Sequence, residues 1–256
     1  MHLKALAGHV VIYSSKFYAK FNSRNKPLLL SAVNRIIIKY FMFKKAFAAL
    51  ALSAIAIHGF AQAQWNLTTN QDGMKIYTRP VASSKFKAIR VECELKATLP
   101  QLVAVLMDVD ACTQWVYHTK SSRLLRKVSP LDVYYYTEVS IPWPMQNRDF
   151  VAHVMISQNP STKVVTMNAP VVSGMVPVKD GVVRIEHSSG RWVITPLGKG
   201  RLKIEYELET DPGGDVPAWL TNLFVTQGPL QSFRALRTQV LKPEYQNARF
   251  AQIKEE

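Results

Sequence analysis

Asp211-Pro-Gly-Gly-Asp-Val-Pro-Ala-Trp-Leu-Thr-Asn222 is the stretch on which the fold turns. Pro-Gly-Gly ends whatever strand precedes it, and Asp215 offers a carboxylate to cap the helix that follows. Beyond it Trp219, Leu220, Leu223, Phe224, Leu230, Phe233, Leu236 and Val240 recur at three- and four-residue steps. That spacing predicts a helix of about 25 residues with a broad apolar face. Gly228-Pro229 falls in its middle, where proline removes a backbone donor and bends the helix toward whatever it covers.

Working toward the N-terminus, the residues before this helix read as strands. Runs over 122–128, 132–142, 149–157, 163–168, 182–187, 191–195 and 203–210 are rich in β-formers, with Asn-Pro, Ser-Ser-Gly and Gly-Lys-Gly as breaks between them. Tyr134, Tyr136 and Glu138 share one face of their strand, and Leu202, Ile204, Tyr206 and Leu208 share a face of theirs. With no helix between them, these strands are expected to pair antiparallel. Earlier still, 66–70 and 74–79 flank an Asp72-Gly73 hairpin signal, 86–95 is a longer strand, and Thr98 caps a short helix over 99–108. The fold class is α+β: a curved antiparallel sheet gripped by one long amphipathic helix.

The first part of the chain reads as an address. Lys44 and Lys45 precede an apolar run over 46–57, and Ala61-Gln62-Ala63 gives the small-x-small pattern of a cleavage site. The run falls short of the roughly 20 residues needed to span a bilayer. Residues 42–63 are therefore expected to be a cleaved export signal, with the mature domain over 64–256, in the periplasm or outside the cell. Two readings compete for residues 1–41: a basic membrane-surface arm, or an extension upstream of the true initiator Met42. The second is favoured because an export signal acts at the N-terminus.

The same region explains the charge. Of the net +14, nine Lys or Arg lie in residues 1–71 with no acid among them, leaving 23 basic against 18 acidic residues beyond. That mild excess suits transient contact with an anionic membrane surface and argues against nucleic acid. Two cysteines, Cys93 and Cys112, form no metal or redox motif, and a disulfide or two buried thiols are both open.

Three motifs follow one another at workable spacing: Asn147-Arg-Asp-Phe-Val151, Gly181-Val-Val-Arg-Ile-Glu-His187 and the 211–222 stretch. Together, over about 65–245, they closely resemble the START domain family, the lipid-transfer domains related to steroidogenic acute regulatory protein. The resemblance implies a helix-grip fold: a sheet of about nine strands around a tunnel, with the C-terminal helix as its lid. It implies one lipid or other apolar molecule as partner, held by a monomer for transfer, sheltering or sensing, and no metal or cofactor. Ligand contacts are expected at Tyr136, Glu138, Val154, His187 and Tyr206 on the strands, and at Trp219, Leu223, Phe224, Gln227 and Phe233 on the lid.

Arg148, Asp149 and Arg184 are expected to be structural, the first pair tying a loop to the sheet. Family members can set an acid against a basic residue inside the tunnel as an anchor for a lipid hydroxyl. Glu138 takes the acid position here, but the basic position falls on Val154. His187 is then a candidate hydrogen-bond partner for Glu138, and contact of Glu138 with solvent is the alternative. In Ile141-Pro-Trp-Pro-Met145, Trp143 and Met145 are expected at the tunnel mouth, either touching the membrane interface or with Trp143 packed beneath the lid. Two rival functions stay open. One is an enzyme of the wider helix-grip superfamily, a cyclase or hydrolase using Glu138 and His187 as acid and base. The other is a structural envelope protein with a filled core.

Overall fold

A computed structural model describes residues 64–255 except 83, 218, 219 and 222, with the side chains of Lys85 and Leu223 also left out. The expectations for 1–41 and 42–63 lie outside the described residues.

The chain opens with β1 (Asn66–Gln71), β2 (Met74–Val81) and β3 (Ser84–Lys96). Asp72 and Gly73 both sit at positive φ, 54° and 69°, which closes the β1–β2 hairpin in two residues. Two short helices follow, α1 (Leu99–Met107) and α2 (Cys112–Trp115). Thr98 caps α1 reciprocally with Gln101, and α1 buries Leu99, Leu102, Val103, Val105 and Leu106. Then come β4 (Thr119–Ser129), β5 (Asp132–Val139), β6 (Asn147–Gln158), β7 (Val165–Pro170), β8 (Val182–Arg184), β9 (His187–Gly198) and β10 (Arg201–Asp211). A π-helical segment (Leu223–Gln227), α3 (Gly228–Gln239) and α4 (Pro243–Gln246) end the domain.

Nine strands form one antiparallel sheet in the order β1-β2-β3-β10-β9-β7-β6-β5-β4. The tenth departs from the antiparallel expectation: β8 pairs parallel with β6, Asn147–Asp149 against Val182–Arg184. The 171–181 segment makes that crossover, and β8 is held by the Ile185 amide donating to the Asp149 carbonyl at 2.8 Å. The run expected over 182–187 is thereby divided, since β8 stops at Arg184 and His187 opens β9.

The long helix expected after Asp215 is segmented at its proline. Pro229 stands in the first turn of α3, where its missing N–H costs least, and the turn before it widens to a π-helix. On α3 the buried face is Leu230, Phe233, Leu236 and the adjoining Val240, the spacing that the sequence carries. The C-terminal end of α3 is tied down by several bonds. Arg234 donates to Asp72 at 2.7 Å, Arg237 donates to the Asp72 carbonyl at 2.7 Å, and Gln239 donates to Tyr245 at 3.0 Å. Both cysteines are free and buried.

Candidate functional site

The inner face of the sheet is solid at one end and hollow at the other. On β10, Leu202 and Ile204 are buried in the main core, whereas Tyr206, Leu208 and Thr210, two residues apart on the same face, line a cavity. On β9 Ile194 is core, and Trp192, Gly190 and Ser188 line the cavity; on β7 the change runs from Val165 to Met167 and Ala169. On β5 it runs from Val133 to Tyr135, Thr137 and Val139, with Phe150 opposite on β6. The cavity has a volume of about 250 Å³. Leu106, Cys112 and Trp115 close one side, and Phe224, Pro229, Ser232 and Phe233 roof it. Trp192, Tyr206 and Phe233 stack around one corner with ring centroids 4.7 to 5.9 Å apart.

Among the described residues, no Asp, Glu, His, Lys or Arg side chain lines this space. Burial pushes the Tyr135 and Tyr206 hydroxyls well above the usual phenol range and the Cys112 thiol up to about 12, so all three are neutral.

The opposite face of β5 and β6 holds a charged cluster. Glu138 accepts from Lys120 at 2.8 Å, Asn147 at 2.9 Å and Lys179 at 3.1 Å. Those bonds, Lys120 foremost, hold its carboxyl down to about 2 against the opposing effect of its own burial. Asp149 accepts two bonds from the Arg184 guanidinium, 2.7 and 3.1 Å, and one from the Tyr136 hydroxyl at 3.1 Å. Arg148, 1% exposed, turns the other way and donates to the carbonyls of Pro212 at 3.3 Å and Gly213 at 3.4 Å. Gly213 and Gly214 there have φ of 70° and 62°, and a Cβ on Gly213 would meet Val183 Cγ1 at 3.0 Å. The Pro-Gly-Gly of the opening stretch is thus a backbone requirement, and Arg148 clamps it to the sheet.

The expected ligand contacts divide accordingly. Tyr206, Phe224 and Phe233 line the cavity. Tyr136 and Glu138 do not: they alternate with the lining residues Tyr135, Thr137 and Val139 and so point out of the opposite face. Val154 is on the inner face but at its solid end, opposite Val133. His187 is exposed at the start of β9, and the Glu138 carboxylate is occupied by other groups, so the two do not form the acid–base pair weighed above. Gln227 is exposed, Trp219 lies outside the described residues, and of Leu223 only the backbone is described. Trp143 is 91% exposed and so is not packed beneath the lid, while Met145 is half-buried. Trp115, Thr119, Tyr135, Thr137, Phe150, Ser188, Gly190 and Trp192 are cavity residues that the sequence reading missed.

A curved antiparallel sheet, hollow beneath a C-terminal helix and apolar within, defines a helix-grip domain. The chain belongs to the START domain family, whose profile matches residues 56–243. It is 32% identical over 190 residues to an uncharacterized protein of Pseudomonas aeruginosa, covering 74% of this chain and 93% of that one. It is 28% identical over 201 residues to the phosphatidylcholine transfer protein of Bos taurus, covering 73% and 86%. Among solved structures, a STAR-related lipid transfer protein from Xanthomonas axonopodis superposes with a TM-score of 0.64 at 32% identity, covering 70% of this chain and 99% of that one. Human StAR-related lipid transfer protein 5 shares the fold with a TM-score of 0.60 at 18% identity, covering 78% and 96%.

Proposed function

We propose that the domain binds a single apolar molecule in the cavity beneath its lid and carries it between membranes without altering it. The observation that carries this reading is the apolar hollow of about 250 Å³ under α3. Lipid-transfer proteins among its relatives support the same direction. A ligand hiding roughly 300 Å² of apolar surface there gains about 7 kcal/mol from leaving water, enough for retention during transit. Entry is through the N-terminal half of the lid, because the bonds to Asp72 and Tyr245 hold the other half.

Native mass spectrometry of the purified mature domain tests the proposal. A retained ligand of constant mass is expected; a domain that is bare after expression and after exposure to lipid extract would exclude it, and a chemically converted ligand would favour the enzyme reading.

Contact with the bilayer is assigned to the loop around Trp143. Its indole is 91% exposed between Pro142 and Pro144, and Val178, on the neighbouring 171–181 segment, is 74% exposed. Replacing Trp143 by Ala is expected to slow transfer between vesicles by about tenfold with binding unchanged, the loss expected for an interfacial anchor worth about 1.4 kcal/mol. An unaltered transfer rate would remove the loop from the pathway. The domain acts after export as a monomer, and its recovery from the periplasmic or external fraction, with Ala63 removed, checks that placement.

A further inference from the structure

Two phenol hydroxyls in the cavity wall have no protein partner. The Tyr135 and Tyr206 side chains are only partly buried and line the cavity, and neither hydroxyl makes a hydrogen bond with any described residue. The indole Nε1 of Trp115 and the hydroxyl of Thr119 are also without a partner, but both are closed off behind the wall. Tyr135 lies close enough to Tyr206 to feel its charge were it ionised, which brings the two hydroxyls to one region of the wall. Polar groups inside an apolar hollow are ordinarily satisfied, so the two free hydroxyls mark where a missing partner binds.

The chemistry of the two groups specifies that partner. A phenol hydroxyl both donates and accepts, so a hydroxyl or a carbonyl oxygen satisfies it. No charged side chain lines the space among the described residues, so an ionised phosphate or carboxylate would lie there uncompensated. The volume of about 250 Å³ also lies below the roughly 300–1,000 Å³ of ordinary ligand sites, which disfavours a two-chain lipid.

We infer that the ligand is a neutral molecule with one oxygen function, a hydroxyl or a carbonyl, held against Tyr135 and Tyr206, with its hydrocarbon part in the rest of the cavity. This rests on the carrier reading and narrows it. It separates the chain from a carrier of charged headgroups, although the phosphatidylcholine transfer protein is among its relatives. It also moves the polar anchor from Glu138, which faces away, to groups on the inner face.

The test is displacement of bound Nile red from the mature domain by dodecanol, dodecane and phosphatidylcholine vesicles. Dodecanol is expected to displace the dye at about one-tenth the concentration of dodecane, the advantage of a single well-placed hydrogen bond. Phosphatidylcholine vesicles should displace little. A double variant, Tyr135→Phe with Tyr206→Phe, keeps both rings and so should bind dodecane as before while the advantage of dodecanol falls below about threefold. Equal displacement by dodecanol and dodecane from the unaltered domain would overturn the polar subsite and leave the carrier standing. Displacement by phosphatidylcholine as effective as by dodecanol would overturn the neutral-ligand assignment. If the domain binds neither the dye nor any of the three, the carrier reading falls and this inference with it.

Discussion

The two ends of the sheet's inner face are made of the same strands, yet one is filled and the other empty. Leu202 and Ile204 at the solid end share one buried core with Ile194, Val165 and Val133, and Ile194 pairs with both Ile204 and Val165. Two or three alternations further along, the inward positions become Thr210, Ser188, Gly190, Ala169 and Thr137, and the space they do not fill is the cavity. The contrast teaches that a binding hollow needs no special backbone. It needs small side chains at some of the inward positions, and a solid remainder stable enough to offset the packing forgone there.

Substitutions at the two ends should break or sharpen this contrast. The largest effect is expected for Ile204→Ala, which opens a new void in the packed end and should cost about 3–4 kcal/mol in denaturant unfolding. Leu208→Ala, two residues along the same face, only enlarges an existing space and should cost about 1 kcal/mol or less. Equal losses at the two positions would mean that the hollow is collapsed in solution. At Gly190 a Cβ would have ordinary contacts, 3.7 Å to Tyr206 Cε2 and 3.9 Å to Ala169. Gly190→Leu should therefore fill the cavity and abolish ligand retention in native mass spectrometry while shifting stability by only about 1 kcal/mol. Ligand still carried by that variant would place the binding space elsewhere.

A smaller effect, on the opposite face, is expected for Glu138→Gln. The Glu138 carboxyl is held down to about 2 in the folded domain, below its ordinary 4.5, so ionised Glu138 favours folding above pH 4.5. That contribution fades as pH falls from about 4.5 to about 2 and is gone below it. Both lysines are half exposed and their attraction is screened, so the variant should lose on the order of 2 kcal/mol at neutral pH. The gap between the two proteins should close in acid; a difference independent of pH would show that shape, and not charge, is at stake.

How far these features can be read from sequence differs from element to element. The lid was legible because Leu230, Phe233, Leu236 and Val240 hold a helical period, and Pro229 showed where it would be interrupted. The strands were legible, but which face of β5 points inward was not. Tyr134, Tyr136 and Glu138 alternate as cleanly as Tyr135, Thr137 and Val139, and Lys179 of the 171–181 segment lies over Tyr136 and bonds Glu138, so both sides are largely buried. A period of two identifies two faces and does not say which one meets the lid. The hollow itself was hidden in Ser188-Ser189-Gly190, which reads as a chain break by composition but lies inside β9. A glycine within a strand also marks close approach by something else, and that is the signal that could have found the site. β8 was illegible as a separate parallel strand because its partner choice depends on the Arg184–Asp149 pair, a contact 35 positions apart in the chain.

The two thiols report on these two ends separately. Cys112 borders the cavity, whereas Cys93 is embedded in the solid core, and burial pushes them up to about 12 and about 11. Neither is a ready nucleophile while the domain is closed and folded. An alkylating reagent reaches the first when the lid parts and the second only when the sheet comes undone. The ratio of their modification rates therefore counts how many times the domain opens for each time it unfolds, with no label added and no residue changed.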